Sequence, residues 1–504
     1  MRIVDVTKPF TQSGIKFEAG RRYVMAEDIE SQYRSVMGDS LGMSYPIETM
    51  YKPYKGQDLS GKRLLSFRTG GVGDIFMVMP VLRYLKKKYP TCFIRFATGC
   101  RDALENVPEI DELYGMPFDA KLMEDTDYQL FFQGILESSS EASQNNHGAD
   151  MFFSYFGIDS TQLPDEDKRP KLFFTKEETD WRDKILSESG IKDEDYLIGM
   201  QMETSAPLRN FPKDKMKTII DILSKEENVK IFLIGSDQQT LLGQFLRGDN
   251  SKVFVMTRFS VRQSIILASR YNLVISPDSF MVQAAGALEK PLIGLYGPFP
   301  SSVRMKYFKN AISLEPSTAC TPCFKHDFRP CVKGFPSPCF SQVTIEDVLQ
   351  AADYLKSKFT GTHFRYMERI VTALDPTDIE KYMMSADKGL CFFGGYHDIP
   401  NALRVDSNPF VKADISDLNS DFKRDAWPFV LYVGPSGFEA KNKPYYEGSK
   451  ALVRPGGHYI IYTDGTDEAF FAELQRDIGK TFILLLTKYD PARRRTTIVG
   501  KRPY

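Results

Sequence analysis

Over most of the chain, short apolar runs alternate with segments of helical spacing. "RLLSF" (63–67) predicts a buried strand, and "IFMVMPVLRYLKKKY" (75–89) a helix interrupted or restarted at Pro80. "CFIRFAT" (92–98) predicts the next strand and "DYQLFFQ" (127–133) a later one. A second alternation runs from "YLIGMQ" (196–201) through "PKDKMKTIIDILSKE", "VKIFLIGS", "SVRQSIILASR", "NLVISPD" and "SFMVQAAGALE" to "PLIGLYG" (291–297), and "TIEDVLQAADYLKSKF" (344–359) predicts a long closing helix. Strands alternating with helices build parallel βαβ units, so the fold class is α/β, with two Rossmann-like domains in tandem.

The flanks read differently. Residues 1–57 predict a small α+β appendage, with two short strands around a glycine turn in "GIKFEAGRRYVM" and a helix in "AEDIESQYRSVM". The polar, proline-bearing 160–190 stretch predicts a hinge, which divides 58–185 from 186–360. Residues 366–504 form a further unit, with strands at "GLCFFGG", "ALRVDS", "FVLYVG" and "HYIIYTDG" and a tail "FILLLTKYDPARRRTTIVGKRPY".

The chain has 504 residues, 26% charged, with a net charge of −1, so any contact with nucleic acid or membrane must come from local patches. "RYLKKK" and "ARRRTTIVGKRP" are the basic stretches that could meet phosphates or an anionic membrane surface, or be solvated faces. No apolar leader or membrane-length window stands out, and seven cysteines in so long a chain do not suggest a disulfide scaffold. The expected location is cytoplasmic.

Two Rossmann-like domains place their ligands at the carboxyl ends of the strands, on loops facing one cleft. One such loop is "RTGGVGDIFMVMP" (68–80), in which Asp74 follows three glycines. A glycine turn feeding a helix usually holds an anion, and a carboxylate there would repel one. Asp74 is therefore either a helix cap or a general base, with Gly71 and Gly73 allowing a substrate close approach. Facing it, "METSAPLRNFP" offers the Thr204 and Ser205 hydroxyls and the Arg209 cation. "SPDSFMVQAAGAL" puts Asp278 and Ser279 at the start of a small-residue helix. Together these suit a nucleotide-diphosphate pocket.

Residues 61–355 resemble the family 9 glycosyltransferases, the ADP-heptose:lipopolysaccharide heptosyltransferase group. Three stretches carry the resemblance: "GGVGDIFMVMPVLRYLKKKYP", "SAPLRNFP" and "ISPDSFMVQAAGALEKPLIGLYGP". The resemblance implies a GT-B fold and places Asp74 on the family's catalytic base and Arg209 on its donor-binding lysine. Phe211 replaces a tryptophan, Phe280 a glycine and Gln283 a histidine; the last two lie beside the donor diphosphate in the family, which leaves donor sugar and nucleotide open. The implied activity is metal-independent, inverting sugar transfer from a nucleotide-diphosphate donor to a saccharide or lipopolysaccharide-type hydroxyl, with no cofactor required for catalysis. Two other readings stay open: a virus-type DNA glycosyltransferase acting on a hydroxymethylated base, and a non-catalytic scaffold with the same fold.

Residues 366–504 resemble a class I methyltransferase core in "FFGGYHD", in "RVDSNP" with Asp406 as the ribose-binding acid, and in "KADISDL" and "LVRPGGHYIIY". The glycine turn is short, so an accessory domain is expected, and S-adenosylmethionine is not. Cys320, Cys323, Cys331 and Cys339 are spaced C-x2-C-x7-C-x7-C, with His326 inside, which suits either a structural zinc site or a loop without metal. His147, His363 and His458 lack partners at ligand spacing and are expected on the surface or in packing.

Overall fold

The computed structural model describes residues 1–137, 144–316, 318, 320–324, 331–334, 337–365, 389–392, 402–405, 427–434, 453–463, 483–490 and 495–501. The chain divides into two units, Met1–Ile345 and Glu346–Tyr504.

The first unit begins with β1 (Arg2–Val6), a ribbon of β2 (Phe10–Gln12) and β3 (Ile15–Phe17), β4 (Arg22–Met25), the helix Glu27–Met37 and β5 (Leu41–Pro46). The two short strands expected around a glycine turn are β3 and β4, with Gly20 at φ +79° between them. Each pairs elsewhere: β3 with β2, and β4 with β1.

That sheet comprises β6 (Arg63–Arg68), β7 (Phe93–Thr98), β8 (Glu112–Gly115) and β10 (Tyr128–Phe131), all parallel, in the order β10-β6-β7-β8. Between them β9 (Phe118–Asp119) turns back to pair with β4 and completes the small antiparallel sheet β5-β1-β4-β9. Side-chain alternation explains the layering. Leu65, Phe67 and Ala97 face the N-terminal sheet with Ile3, Val24 and Ile47, whereas Leu64, Ile94 and Phe96 face the helix Val72–Lys88. The appendage thus covers one face of the first parallel sheet, the place a helix layer normally takes.

The helix Val72–Lys88 runs unbroken through Pro80, contrary to the interruption expected there. Proline removes one backbone donor, but residues Ile75 to Leu82 are all buried, and their packing holds the helix together across the gap.

The second parallel sheet has six strands: β11 (Tyr196–Gln201), β12 (Val229–Ile234), β13 (Val253–Met256), β14 (Leu273–Pro277), β15 (Leu292–Leu295) and β16 (Ala311–Leu314). Their order is β13-β12-β11-β14-β15-β16, with every pairing parallel. Sequence patterning passed over β8, β13 and β16, each only four residues long. The stretch expected to be a hinge holds the helix Lys176–Glu188, opened by a Thr175/Glu178 capping box. Buried Arg262 grips this stretch by donating to Glu178 Oε1 and Oε2, both at 2.7 Å, and to the Phe173 carbonyl at 2.6 Å.

Among the described residues, the second unit contains most of the helix Ile345–Thr360 and six strands, β17 (Gly389–Phe392), β18 (Ala402–Val405), β19 (Trp427–Gly434), β20 (Val453–Thr463), β21 (Ile483–Asp490) and β22 (Arg495–Lys501). They form one sheet, β18-β17-β19-β20-β22-β21, parallel from β18 to β20 and antiparallel through β22. The glycine turn at 394–395 and Asp406 lie outside the described residues. No helix among the described residues is long and apolar enough to cross a membrane.

Candidate functional site

Numbered within themselves, both parallel sheets have strands in the order 3-2-1-4, extended to 3-2-1-4-5-6 in the second. In such sheets the chain leaves the first and fourth strands in opposite directions and opens a crevice at their carboxyl ends. Asp74 follows β6 and Glu137 follows β10, so both flank the crevice of the first sheet. Thr204, Ser205 and Arg209 follow β11, and Asp278 and Ser279 follow β14, flanking the crevice of the second.

Two helices join these crevices. The helix Val72–Lys88 packs on the helix Phe280–Ala287, and a Cβ placed on Gly73 would lie 3.4 Å from Gln283 Cγ and 3.6 Å from Phe280 Cα. Gly71, at φ +75°, opens the first helix, and a Cβ there would meet Asp74 Oδ2 at 2.6 Å. The close approaches at these glycines are therefore made by protein: Gly71 makes room for the Asp74 carboxylate, and Gly73 faces the helix Phe280–Ala287. The helix carries no side-chain cap. Asp74 Oδ2 instead accepts from Arg68 Nη2 at 2.9 Å, and the carboxylate keeps 28% exposure. Of the two sequence readings of Asp74, capping is thus not what its side chain does.

In the second crevice, Arg209 Nη1 donates to the Asp278 carbonyl at 2.8 Å and lies 3.4 Å from its carboxylate, while Nη2 reaches Ser205 Oγ at 3.1 Å. Thr204 is spent on the loop itself: its N–H donates to Asn210 Oδ1 at 2.8 Å and its hydroxyl to the Ala206 carbonyl at 2.9 Å. Ser279 caps its helix by accepting from the Met281 N–H at 3.2 Å, and its hydroxyl lies 2.9 Å from Ser276 Oγ. Gln283 Nε2 donates to the Arg304 carbonyl at 2.8 Å. Four buried polar atoms at this end of the sheet have no partner among the described residues: Gln201 Oε1, Arg209 Nε, Gln283 Oε1 and Tyr296 Oη. Burial drives the Tyr296 hydroxyl well above its ordinary pKa, and the Asp278 carboxylate adds to the effect.

Sequence reasoning missed Arg68, Glu137 and Tyr296, while His147 stands in packing, one of the two places expected for it. His147 is buried and caps the helix Gly148–Tyr155, with Nδ1 accepting from the Ala149 N–H and Nε2 donating to the Arg304 carbonyl, both at 3.2 Å. Burial pulls its pKa down to about 4. His363 is paired with Asp353 at 2.7 Å, and the side chain of His458 lies outside the described residues.

The basic stretch "RYLKKK" is partly engaged by protein, although Lys87 and Lys88 stay exposed. Arg83 is buried and donates to the Arg169 carbonyl at 2.7 Å, Lys86 pairs with Asp111 at 2.6 Å, and Lys87 pairs with Asp167 at 2.9 Å. Cys320, Cys323, Cys331 and Cys339 are free thiols, and among the described residues no three His, Cys, Asp or Glu side chains gather in a metal-holding group. Burial pushes the Cys339 thiol up to about 11, with Cys323, Cys331 and Cys320 contributing in the same direction. His326 lies outside the described residues.

Residues 148–331 match the model of glycosyltransferase family 9 (heptosyltransferase). The family 9 match spans the whole second sheet and the Arg209 and Asp278 loops. A lipopolysaccharide heptosyltransferase 1 from Campylobacter coli is 24% identical over 292 residues, 47% of this chain and 85% of that protein. Among solved structures, a family 9 glycosyl transferase from Veillonella parvula aligns with a TM-score of 0.49 at 18% identity, over 60% of this chain and 99% of that one. The ADP-heptose lipopolysaccharide heptosyltransferase II of E. coli aligns with a TM-score of 0.46 at 16% identity, over 59% and 99%.

Proposed function

We propose that the protein is a GT-B glycosyltransferase that moves a sugar from a nucleotide-diphosphate donor to a saccharide hydroxyl, with inversion at the anomeric carbon. The observation that carries this reading is the seating of Gly73, next to Asp74, on Gln283 and Phe280 of the opposite domain. It brings the one carboxylate of the glycine turn to the helix whose N-terminus suits a diphosphate. The family 9 match over 148–331 supports the sugar-transfer chemistry.

In this reading Asp74 takes the proton from the acceptor hydroxyl, and the oxygen attacks the anomeric carbon from the face opposite the nucleotide. The leaving diphosphate is met by Arg209, by Ser205 with Thr204, and by the N-terminus of the Ser279-capped helix. A polar ligand seated here would give Arg209 Nε, Gln283 Oε1 and Tyr296 Oη the partners they lack. The charge on the leaving group is then balanced by protein groups, and the reaction needs no divalent ion.

The test is mass spectrometry of products after ADP-heptose and other nucleotide sugars are offered to a panel of glycan acceptors, with hydroxymethylated duplex DNA as a further acceptor. Transfer to a glycan is expected. Transfer to DNA alone would establish the base-modifying reading, and no transfer from any donor the scaffold reading. Asp74→Asn keeps the size of the side chain and removes the base, so turnover is expected to fall roughly 10²–10⁴-fold with donor affinity little changed. Wild-type turnover in that variant would take Asp74 out of the mechanism.

A further inference from the structure

Arg68, the last residue of β6, is only 1% exposed, yet it carries two carboxylates. Its Nη2 donates to Asp74 Oδ2 at 2.9 Å and to Glu137 Oε1 at 2.7 Å, and its Nη1 donates to the Phe132 carbonyl at 2.7 Å. The guanidinium lies over the Phe152 ring, 5.7 Å from its centroid. Glu137 is fixed from its own side by the Gly134 N–H at 3.0 Å and by Gln133 Nε2 at 3.2 Å. Gln133 is tied back to Thr69 Oγ1 at 2.6 Å. The two strands that bound the first crevice are thus laced together at their carboxyl ends, and Asp74 hangs from the lacing.

A buried arginine is expensive unless its charge is matched, and one carboxylate would match it. The second leaves the cluster with a net negative charge at the mouth of the crevice, where Glu137 retains 46% exposure. Only Asp74 Oδ2 is engaged, and Oδ1 has no hydrogen bond among the described residues. Arg68 is the charged group facing Asp74 from β6, and Glu137 from the loop after β10. The packed helix Phe280–Ala287 presents Phe280 and Gln283, neither of which titrates, and Asp150 on the helix Gly148–Tyr155 is turned to Ser160 and Tyr307.

We propose that Arg68 is a positioning residue that holds Asp74 by Oδ2 and leaves Oδ1 for the acceptor proton, while Glu137 holds the same guanidinium from the loop after β10. This rests on the reading of Asp74 as the base. The charge of Arg68 and the fork that aims it can be separated by substitution.

The experiment measures ADP release from ADP-heptose by the full chain, with kcat and donor KM determined separately and folding checked by circular dichroism. Arg68→Lys keeps the charge but loses the fork, so kcat is expected to fall roughly 10²-fold with the donor KM unchanged. Arg68→Met loses both charge and fork and should lose at least as much; if it does not fold, Arg68→Lys decides the matter. Wild-type kcat in folded Arg68→Lys, or a loss confined to the donor KM, overturns the proposal. When Asp74→Asn is inactive but Arg68→Lys behaves as wild type, this inference fails and the base reading stands. Full turnover in Asp74→Asn removes both, as does a wild-type protein that releases no nucleotide from any nucleotide sugar offered.

Discussion

Arg209 shows how a charge read as a ligand's partner is first a partner to its own protein. Its guanidinium is tied to the Asp278 carbonyl and lies against that residue's carboxylate, with side chains 11% and 8% exposed. The pair holds the loop after β11 against the loop after β14, across the crevice of the second sheet. Arg209→Ala therefore removes a charged donor from the site and strips Asp278 of its cation. ADP binding is expected to weaken by about 1.5–3 kcal/mol, the range for a hydrogen bond to a charged group. Adenosine, which carries no phosphate, should be nearly indifferent. Titration calorimetry with both ligands checks it, and equal losses would place Arg209 against the nucleoside instead.

Among the elements, the helix Gly148–Tyr155 is fixed by a residue whose chemistry depends on pH. His147 must be neutral to do its work, because Nδ1 accepts a bond from the helix while Nε2 donates one to Arg304. Its pKa is held at about 4 against an ordinary 6.5, with burial the main cause. Between these values the unfolded chain binds the proton and the folded one does not, so stability rises with pH across that window. The contribution is complete above pH 6.5 and is lost as pH falls towards 4. His147→Asn retains a cap acceptor but does not titrate. The gap in Tm between wild type and variant is expected to shrink steadily from pH 6.5 to 4 in a thermal-melt series. A constant gap would mean that His147 is not the titrating group.

On the scale of the whole chain, the parallel sheets of the first unit account for the chemistry proposed here, and the second unit adds a sheet of its own. That sheet has four parallel strands followed by an antiparallel pair. The sequence nevertheless offers only two adjacent glycines in "FFGGYHD" where a cofactor turn needs more room. The full chain is expected to show no saturable binding of S-adenosylmethionine in equilibrium dialysis. Saturable micromolar binding would make the protein a two-activity enzyme, and Asp406→Ala should then abolish that binding.

The sequence by itself determined the elements and the loops. The apolar runs of "RLLSF", "YLIGMQ" and "NLVISPD" are too short for helices and lie buried in β6, β11 and β14. Parallel strands put their loops at one end, so the sequence alone placed Asp74, Arg209 and Asp278 on loops after strand carboxyl ends, where the structure has them. Local signals ended there. β8, β13 and β16 lacked a period long enough to read, and Pro80 looked like a break because the burial of its neighbours is a tertiary fact. Arg68 and Glu137 stand 69 residues apart, and no local pattern joins them. Only strand order brought β6 and β10 side by side and let one guanidinium reach both carboxylates. Likewise, only helix packing decided that Gly73 faces Gln283. Pattern along a chain fixes which face of an element is apolar, but contacts between distant residues depend on how the elements are ordered and stacked, which local periodicity does not encode.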